Sequence, residues 1–249
     1  RKLWAIIMRD RFSVTNEKAL LCRFHTQTGG STLTANQIDN NVVRTTIQAL
    51  SAVLGGTQSL HTNSKDEALA LPSEDAAELA LRTQQIIALE SGITSYSDPF
   101  GGSYVVEELT ENFYKEAMLI IDEIDDIGGS IAAIENGYVE NEITRSAYEY
   151  QRQVEEKENF VVGVNIHEKE DLSEQNIQNI DSKKIDIHIN RLKDLKKKRN
   201  NLEVQSSLGI LKTVAKTDEN VMPQIINCAR NRCTLGEISD VLRKVYGEY

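Results

Sequence analysis

The sequence predicts an α/β fold, on three observations. Two short strand-like runs, residues 19–26 and 57–63, flank a helical stretch, and strand–helix–strand order implies parallel pairing. Each run carries its polar residues on one alternating face, because successive strand side chains point to opposite sides. Between and after the runs, apolar residues recur at helical spacing.

In chain order, residues 1–12 read as a helix with Leu3, Trp4, Ile7 and Met8 as its apolar stripe. In the first strand, Leu20, Cys22 and Phe24 form one set and Arg23, His25 and Gln27 the other. The apolar set is expected to meet covering helices, since burying a Phe or Leu is favourable by roughly 1.5–3 kcal/mol. The helix over 40–54 has the stripe Val43, Ile47, Leu50 and Leu54, and Gly55-Gly56 ends it. In the second strand Ser59, His61 and Asn63 share a face without an apolar residue. Ser73 can cap a helix over 73–91, Glu74 and Asp75 suit its positive start, and Leu79, Ile86 and Ile87 form its packed side.

A third strand is expected near 93–97, with a helix over 107–127 whose stripe is Leu109, Phe113, Ala117, Ile120, Ile124 and Ile127. Its acidic residues Asp122, Glu123, Asp125 and Asp126 read as a solvated face rather than a metal site. Val161–Asn165 is expected to form an edge strand. Residues 167–184, with Glu168, Lys169, Glu170, Asp171, Asn176 and Asn179, read as a linker. Residues 185–249 look helical, and Thr234-Leu-Gly-Glu237 is a capping-box pattern before the stripe Ile238, Val241, Leu242 and Val245. The expected organisation is thus an α/β part over 1–150, a linker over 151–184 and a helical segment over 185–249.

Composition narrows the function. A net charge of −10 argues against non-specific nucleic-acid binding, and the one basic cluster, Lys196-Lys-Lys-Arg199, reads as a solvated helical face. No apolar run reaches the roughly 18 residues a membrane span needs, and no signal pattern opens the chain. Three cysteines without close pairing fit a reducing compartment such as the cytoplasm, and Cys228 and Cys233 lack a metal-binding spacing. Gly29-Gly30 has no following Gly-Lys-Ser/Thr and is not a nucleotide P-loop.

The polar strand faces carry the functional reading. Buried polar groups are costly unless each finds a partner. Two neighbouring strands arranged this way point to a polar ligand or a water-lined channel at the ends of parallel strands. The alternative is an internal hydrogen-bond network serving structure alone.

The segments 23–35 (RFHTQTGGSTLTA), 40–72 (through GGTQSLHTNSKDEALALP), 80–92 and 98–104 (DPFGGSY) resemble the catalytic subunit of the methylmalonyl-CoA mutase family. So do 137–143 (GYVENEI), 161–165 (VVGVN) and 234–249 (TLGEISDVLRKVYGEY). The resemblance covers nearly the whole chain in order. It implies a (β/α)8 barrel threaded by a coenzyme A ester and capped by adenosylcobalamin, whose cobalt–carbon bond breaks to start a radical rearrangement. A complete barrel takes about 250 residues and only three strand–helix units are legible, so the chain is expected to be the C-terminal part of a barrel, entered at a helix. A start at Arg1 rather than Met fits a truncated polypeptide.

The implied function is an adenosylcobalamin-dependent mutase interconverting methylmalonyl-CoA and succinyl-CoA. Sister mutases on isobutyryl-, 2-hydroxyisobutyryl- or ethylmalonyl-CoA are the near alternatives, and a non-catalytic assembly subunit is the distant one. The implied partners are an acyl-CoA substrate, a cobalamin-binding domain or small subunit, and further copies in a homo- or hetero-oligomer, with neither nucleic acid nor membrane.

By the same resemblance, His25 and Gln27 match positions beside the corrin ring, Gly30 one packed against it, and Ala70 another corrin contact. Asn63 and Glu67 match positions that bind the ribose of the adenosyl group. Glycine lets backbone approach a flat macrocycle closely, and a carboxylate accepts hydrogen bonds from adjacent hydroxyls. Each residue also has a plain structural reading: His25 as a satisfied histidine, Glu67 as part of a helix start. The family's substrate-flanking tyrosine and histidine, and its carboxylate-gripping arginine, lie upstream of the matched portion, so no catalytic residue is assigned. Asp186-Ile-His188-Ile-Asn-Arg191 begins like the family's D-x-H-x-x-G axial-histidine motif but ends in Arg, which leaves His188 a surface residue.

Overall fold

The first segment is a helix, α1 (Lys2–Asp10), followed by a single helical turn, α2 (Glu17–Leu20). The computed structural model describes residues 1–169, 177–178 and 180–248, and the chain divides into two compact units, Arg1–Gln178 and Asn179–Tyr249. The first unit continues with β1 (His25–Gln27), a 3-10 turn (Gly30–Thr32), α3 (Asn40–Leu54), β2 (Ser59–His61) and α4 (Glu74–Leu89). A second 3-10 turn (Ile93–Ser95), α5 (Tyr104–Ile127), α6 (Ser130–Glu135) and α7 (Tyr138–Glu155) complete it. β1 and β2 pair in parallel, with His25 opposite Ser59, Thr26 opposite Leu60 and Gln27 opposite His61. The expected strand–helix–strand unit is therefore present. The unit as a whole is mainly helical, with a small parallel sheet.

Several expected elements differ. The strand predicted over 19–26 keeps only its last residues. Asn16 accepts from the Lys18 N–H at 3.0 Å and caps α2, while the Trp4 indole donates to the Ala19 carbonyl at 3.1 Å. Local capping thus outweighs the weak apolar alternation around Leu20. The strand expected near 93–97 is a 3-10 turn, because Gly92 adopts φ 70° and the Thr94 hydroxyl donates back to Ala88 of α4. The edge strand expected at Val161–Asn165 is a turn with an isolated bridge between Val162 and Ile166. There Asn165 accepts from the Val161 N–H and donates to the Val154 and Asn159 carbonyls, satisfying backbone groups a strand would leave to a partner. Helix α7 runs to Glu155, into the segment expected as linker, and the linker residues Glu170, Asp171, Asn176 and Asn179 lie outside the described residues.

The helices bury faces that overlap little with those expected: of the predicted stripe residues of α3 and α4, only Ile87 is buried. On α3 the buried residues are Asn41, Thr45 and Ala49, and on α4 they are Ala76, Ala80, Thr83 and Ile87. The Ala and Thr side chains in this set, at spacings of three and four, let the two helices pack closely. The predicted stripe residues Val43 and Ile47 are instead 59% and 61% exposed, and Leu79 and Ile86 are exposed as well. α5 has no buried residue along its 24 residues, and Leu109, Phe113 and Ile120 face water. Among the described residues of this unit, nothing covers those exposed side chains. Its acidic side is only partly free, since Asp125 pairs with Arg11 at 2.6 Å and Glu123 accepts from the Tyr138 hydroxyl at 2.8 Å.

The second unit contains α8 (Ser182–Lys198), α9 (Asn201–Val214), α10 (Met222–Arg230) and α11 (Leu235–Tyr246). Leu211, Cys228 and Ile238 form its core, with Val241 and Leu242 packed against them. The predicted capping box is present: Thr234 accepts from the Glu237 N–H and the Glu237 carboxylate from the Thr234 N–H. Glu237 also takes a bidentate pair from Arg199, at 2.7 and 2.5 Å. The Arg199 side chain is 6% exposed, so the last residue of the basic run is not a solvated charge but a clamp between the end of α8 and the start of α11.

Three outcomes are expected. Thr45 Oγ1 is buried without a hydrogen-bond partner, so Thr45→Val should leave stability unchanged or raise it by up to about 1 kcal/mol in urea denaturation; a clear loss would contradict the unpartnered hydroxyl. Arg199 holds the Glu237 carboxyl down to about 2 from an ordinary 4.5, with burial opposing and Thr234 assisting. A folded-state value below the unfolded one means the pair's contribution is complete above about pH 4.5 and is lost as pH falls toward 2. Glu237→Gln should flatten that acid limb in pH-dependent unfolding, and Glu237→Ala should cost about 3 kcal/mol at pH 7, leaving Arg199 buried and unpaired.

Candidate functional site

The two strands deliver their C-terminal ends side by side, and the loops that leave them interlock. The Thr28 N–H donates to the His61 carbonyl at 3.1 Å, extending the ladder one residue past β1. The Thr28 hydroxyl donates to Asn63 Oδ1 at 2.6 Å and accepts from the Asn63 N–H at 2.9 Å. Both residues are buried, and each satisfies the other, as burial of polar groups requires. Asn63 Nδ2 then donates to Glu67 Oε1 at 2.5 Å. Glu67 itself is exposed, so its carboxylate is anchored through one oxygen at the surface.

Gly30 lies against this pair. A Cβ added there would sit 2.7 Å from Glu67 Oε1 and 3.0 Å from Asn63 Nδ2. The close approach therefore depends on the absence of a side chain. The glycine turn is held from α3: Gln48 accepts from the Gly29 N–H at 2.6 Å and donates to the Thr32 hydroxyl at 2.7 Å. Asn41, fully buried, donates to the carbonyls of Thr34 and Lys65 at 2.9 Å each and so ties the loop after β1 to the loop after β2.

His25 and Gln27 are exposed neighbours on one face of β1. His25 Nδ1 shares a 2.7 Å hydrogen bond with Ser59 Oγ, its register partner. Gln27 stands opposite His61, and His61 and Glu67 line one cleft together with Thr62, Ser64 and Gln84. Ala70, half-buried, donates its N–H to the Asp66 carbonyl at 3.1 Å. The structure thus brings Gly30, Asn63 and Glu67 into direct mutual reach, with His25 and Gln27 along the adjoining strand face and Ala70 one turn further on. The expected burial of the polar strand face is corrected: His25, Gln27, Ser59 and His61 are open to solvent, and the buried polar groups are Thr28, Asn63, Ser64 and Asp66 just beyond the strand ends.

Sequence reasoning missed Thr28, Asn41, Gln48 and Asp66. A buried Asn in the first turn of an otherwise amphipathic helix, as at Asn41, was the available signal. Burial pushes the Asp66 carboxyl up, but hydrogen bonds from Ser64 and Ser73 outweigh it and hold it below the usual carboxylate range. Among the described residues no group of three or more His, Cys, Asp and Glu side chains is placed to hold a metal ion, and no helix is long and apolar enough to cross a membrane.

Comparison with known proteins assigns the chain to a family of mutases. The family model described as methylmalonyl-CoA mutase matches residues 1–248. The whole chain aligns at 42% identity with the human mitochondrial methylmalonyl-CoA mutase and at 38% with the methylmalonyl-CoA mutase of Rhizobium meliloti, covering 34% and 35% of those proteins. It aligns at 42% identity with the 2-hydroxyisobutanoyl-CoA mutase large subunit of Aquincola tertiaricarbonis, covering 45% of it. The chain belongs to the methylmalonyl-CoA mutase family. It spans between a third and a half of the length of these relatives.

Gly30→Ala should disturb this site locally. The new methyl must displace the Glu67 carboxylate and break its bond to Asn63, while thermal unfolding shifts little, since the moving group is the exposed end of a flexible side chain. A stability change within about 1 kcal/mol is expected; a crystal structure of the variant with the Asn63–Glu67 bond intact would refute the local account.

Proposed function

We propose that this chain contributes the cofactor-facing loops of an adenosylcobalamin-dependent acyl-CoA mutase. The observation that carries the reading is the convergence of Gly30, Asn63 and Glu67 at the ends of two parallel strands. These residues fit such a group. Gly30 offers a surface without a side chain for a flat ring to approach, and Asn63 holds Glu67 so that one carboxylate oxygen remains to accept from the vicinal hydroxyls of a ribose. His25 and Gln27 extend the polar edge along β1, and Ala70 adds a small apolar contact. When bound, the cofactor supplies the radical that moves a carbonyl-CoA group between adjacent carbons. The part of the protein described here binds, orients and limits access of water.

The proposed architecture is a (β/α)8 barrel to which β1–α3–β2–α4 contributes consecutive units. Each strand has one edge unpaired among the described residues, and the outward apolar stripes of α3, α4 and α5 are surfaces that further protein would cover. The family makes methylmalonyl-CoA the first substrate to test, with 2-hydroxyisobutanoyl-CoA second because one relative bears that name. That relative is a large subunit, which supports a small-subunit or cobalamin-domain partner here. The mitochondrial names among the relatives support a matrix location in a eukaryotic host and a cytoplasmic one otherwise.

Isothermal titration of the mutase containing this chain tests the reading. Adenosylcobalamin should bind, and Glu67→Ala should weaken it by about tenfold or more, through loss of a charge-assisted contact. Unchanged affinity in the variant, or failure of the enzyme to isomerise any of these CoA esters, would reject it.

A further inference from the structure

Asp66 is buried, at 4% exposure, and both of its carboxylate oxygens are occupied. Oδ1 accepts from the Ser64 hydroxyl at 2.6 Å. Oδ2 accepts from the Ser73 N–H at 2.9 Å and from the Ser73 hydroxyl at 3.0 Å. Its own backbone carbonyl accepts from Leu69 and Ala70 at 2.9 and 3.1 Å. One side chain therefore closes the loop between Ser64 and Ser73, while its main chain shapes the turn in between. Glu67 sits on that turn and Asn63 immediately before it. Ser73 in turn caps α4, accepting from the Ala76 N–H at 3.4 Å, so the loop is closed against the start of a helix.

We propose that Asp66 is a positioning residue for nucleoside recognition: by tying Ser64 to Ser73 it fixes the distance between Asn63 and Glu67, and with it the direction of the free Glu67 oxygen. This rests on the reading of Asn63 and Glu67 as ribose contacts. Asp66 touches no cofactor itself. Its effect passes entirely through the backbone of 64–70. Without the closure, the turn would be held by the Glu67, Leu69 and Ala70 backbone bonds and by Asn41 at the Lys65 carbonyl, none of which reaches Ser73, and the 2.5 Å bond between Asn63 and Glu67 would lose its fixed register. The proposal separates a selective defect from a general one. Losing the clamp should impair recognition of the adenosyl group and spare the corrin contacts on the strand face and the glycine turn, which Gln48 and Asn41 hold independently.

The test compares binding of adenosylcobalamin with that of methylcobalamin, which carries a methyl in place of the adenosyl group, by the intact mutase. Asp66→Ala should weaken adenosylcobalamin about tenfold while methylcobalamin stays within about twofold. Asp66→Asn, which keeps an acceptor for Ser73, should recover most of the loss, and a merely structural role would not produce that selectivity. Equal weakening of both ligands, or of neither, overturns the proposal. Glu67→Ala in parallel tells the two failures apart: if it is selective and Asp66→Ala is not, the positioning role falls and the ribose site stands. If Glu67→Ala is not selective, the ribose site falls and takes the positioning role with it. Should Asp66→Ala not fold, Ser73→Ala removes one of its partners and is expected to show a smaller loss of the same selective kind; no selectivity there overturns the proposal.

Discussion

The reciprocal pair between Thr28 and Asn63 is the constraint on which this site depends. Strands of three residues give a ladder too short to hold two loops in register. The threonine hydroxyl both donates to and accepts from Asn63, locking the first residue after β1 to the second residue after β2. Everything that follows is referenced to that lock. Asn63 reaches on to Glu67, the glycine turn lies against both, and Asn41 joins the two loops from behind. Because each of these groups is paired, a polar cluster is tolerated where an apolar core would otherwise be expected.

Much of this was legible in the residues. Parallel strand–helix–strand order, the helix end at Gly55, the Ser73 cap and the Thr234–Glu237 capping box all follow from local chemistry that acts within a few residues. What was not legible depends on distant partners. Which face of α3 is buried is decided by the loops and strands it meets, so Asn41, Thr45 and Ala49 pack inward although Val43 and Ile47 are more apolar. Arg199 looked like the last charge of a basic run because its partner is 38 positions away. The short helix at Glu17–Leu20 overrode strand alternation through one asparagine cap and an indole hydrogen bond, neither of which periodicity registers.

The site shows the same division. Alternation grouped His25 with Gln27 and Ser59 with His61, and the observed register sets those pairs opposite each other. It extended the second polar face to Asn63, yet Asn63 lies beyond the strand, buried, and works through side-chain bonds rather than strand geometry. Asp66 lay in plain view beside Glu67, but only the folded loop reveals that it serves the backbone while its neighbour serves the surface.

The uncovered apolar side of α5 has a consequence for how the molecule is handled. Side chains such as Phe113 and Leu119, 67% and 70% exposed, forgo the transfer free energy that drives folding, so this unit is less stable by itself than its length suggests. That forgone energy is still available to any surface that closes over the helix. Handled alone in dilute buffer, the unit should be sparingly soluble and inclined to stick to itself, a tendency that a matching cover would remove.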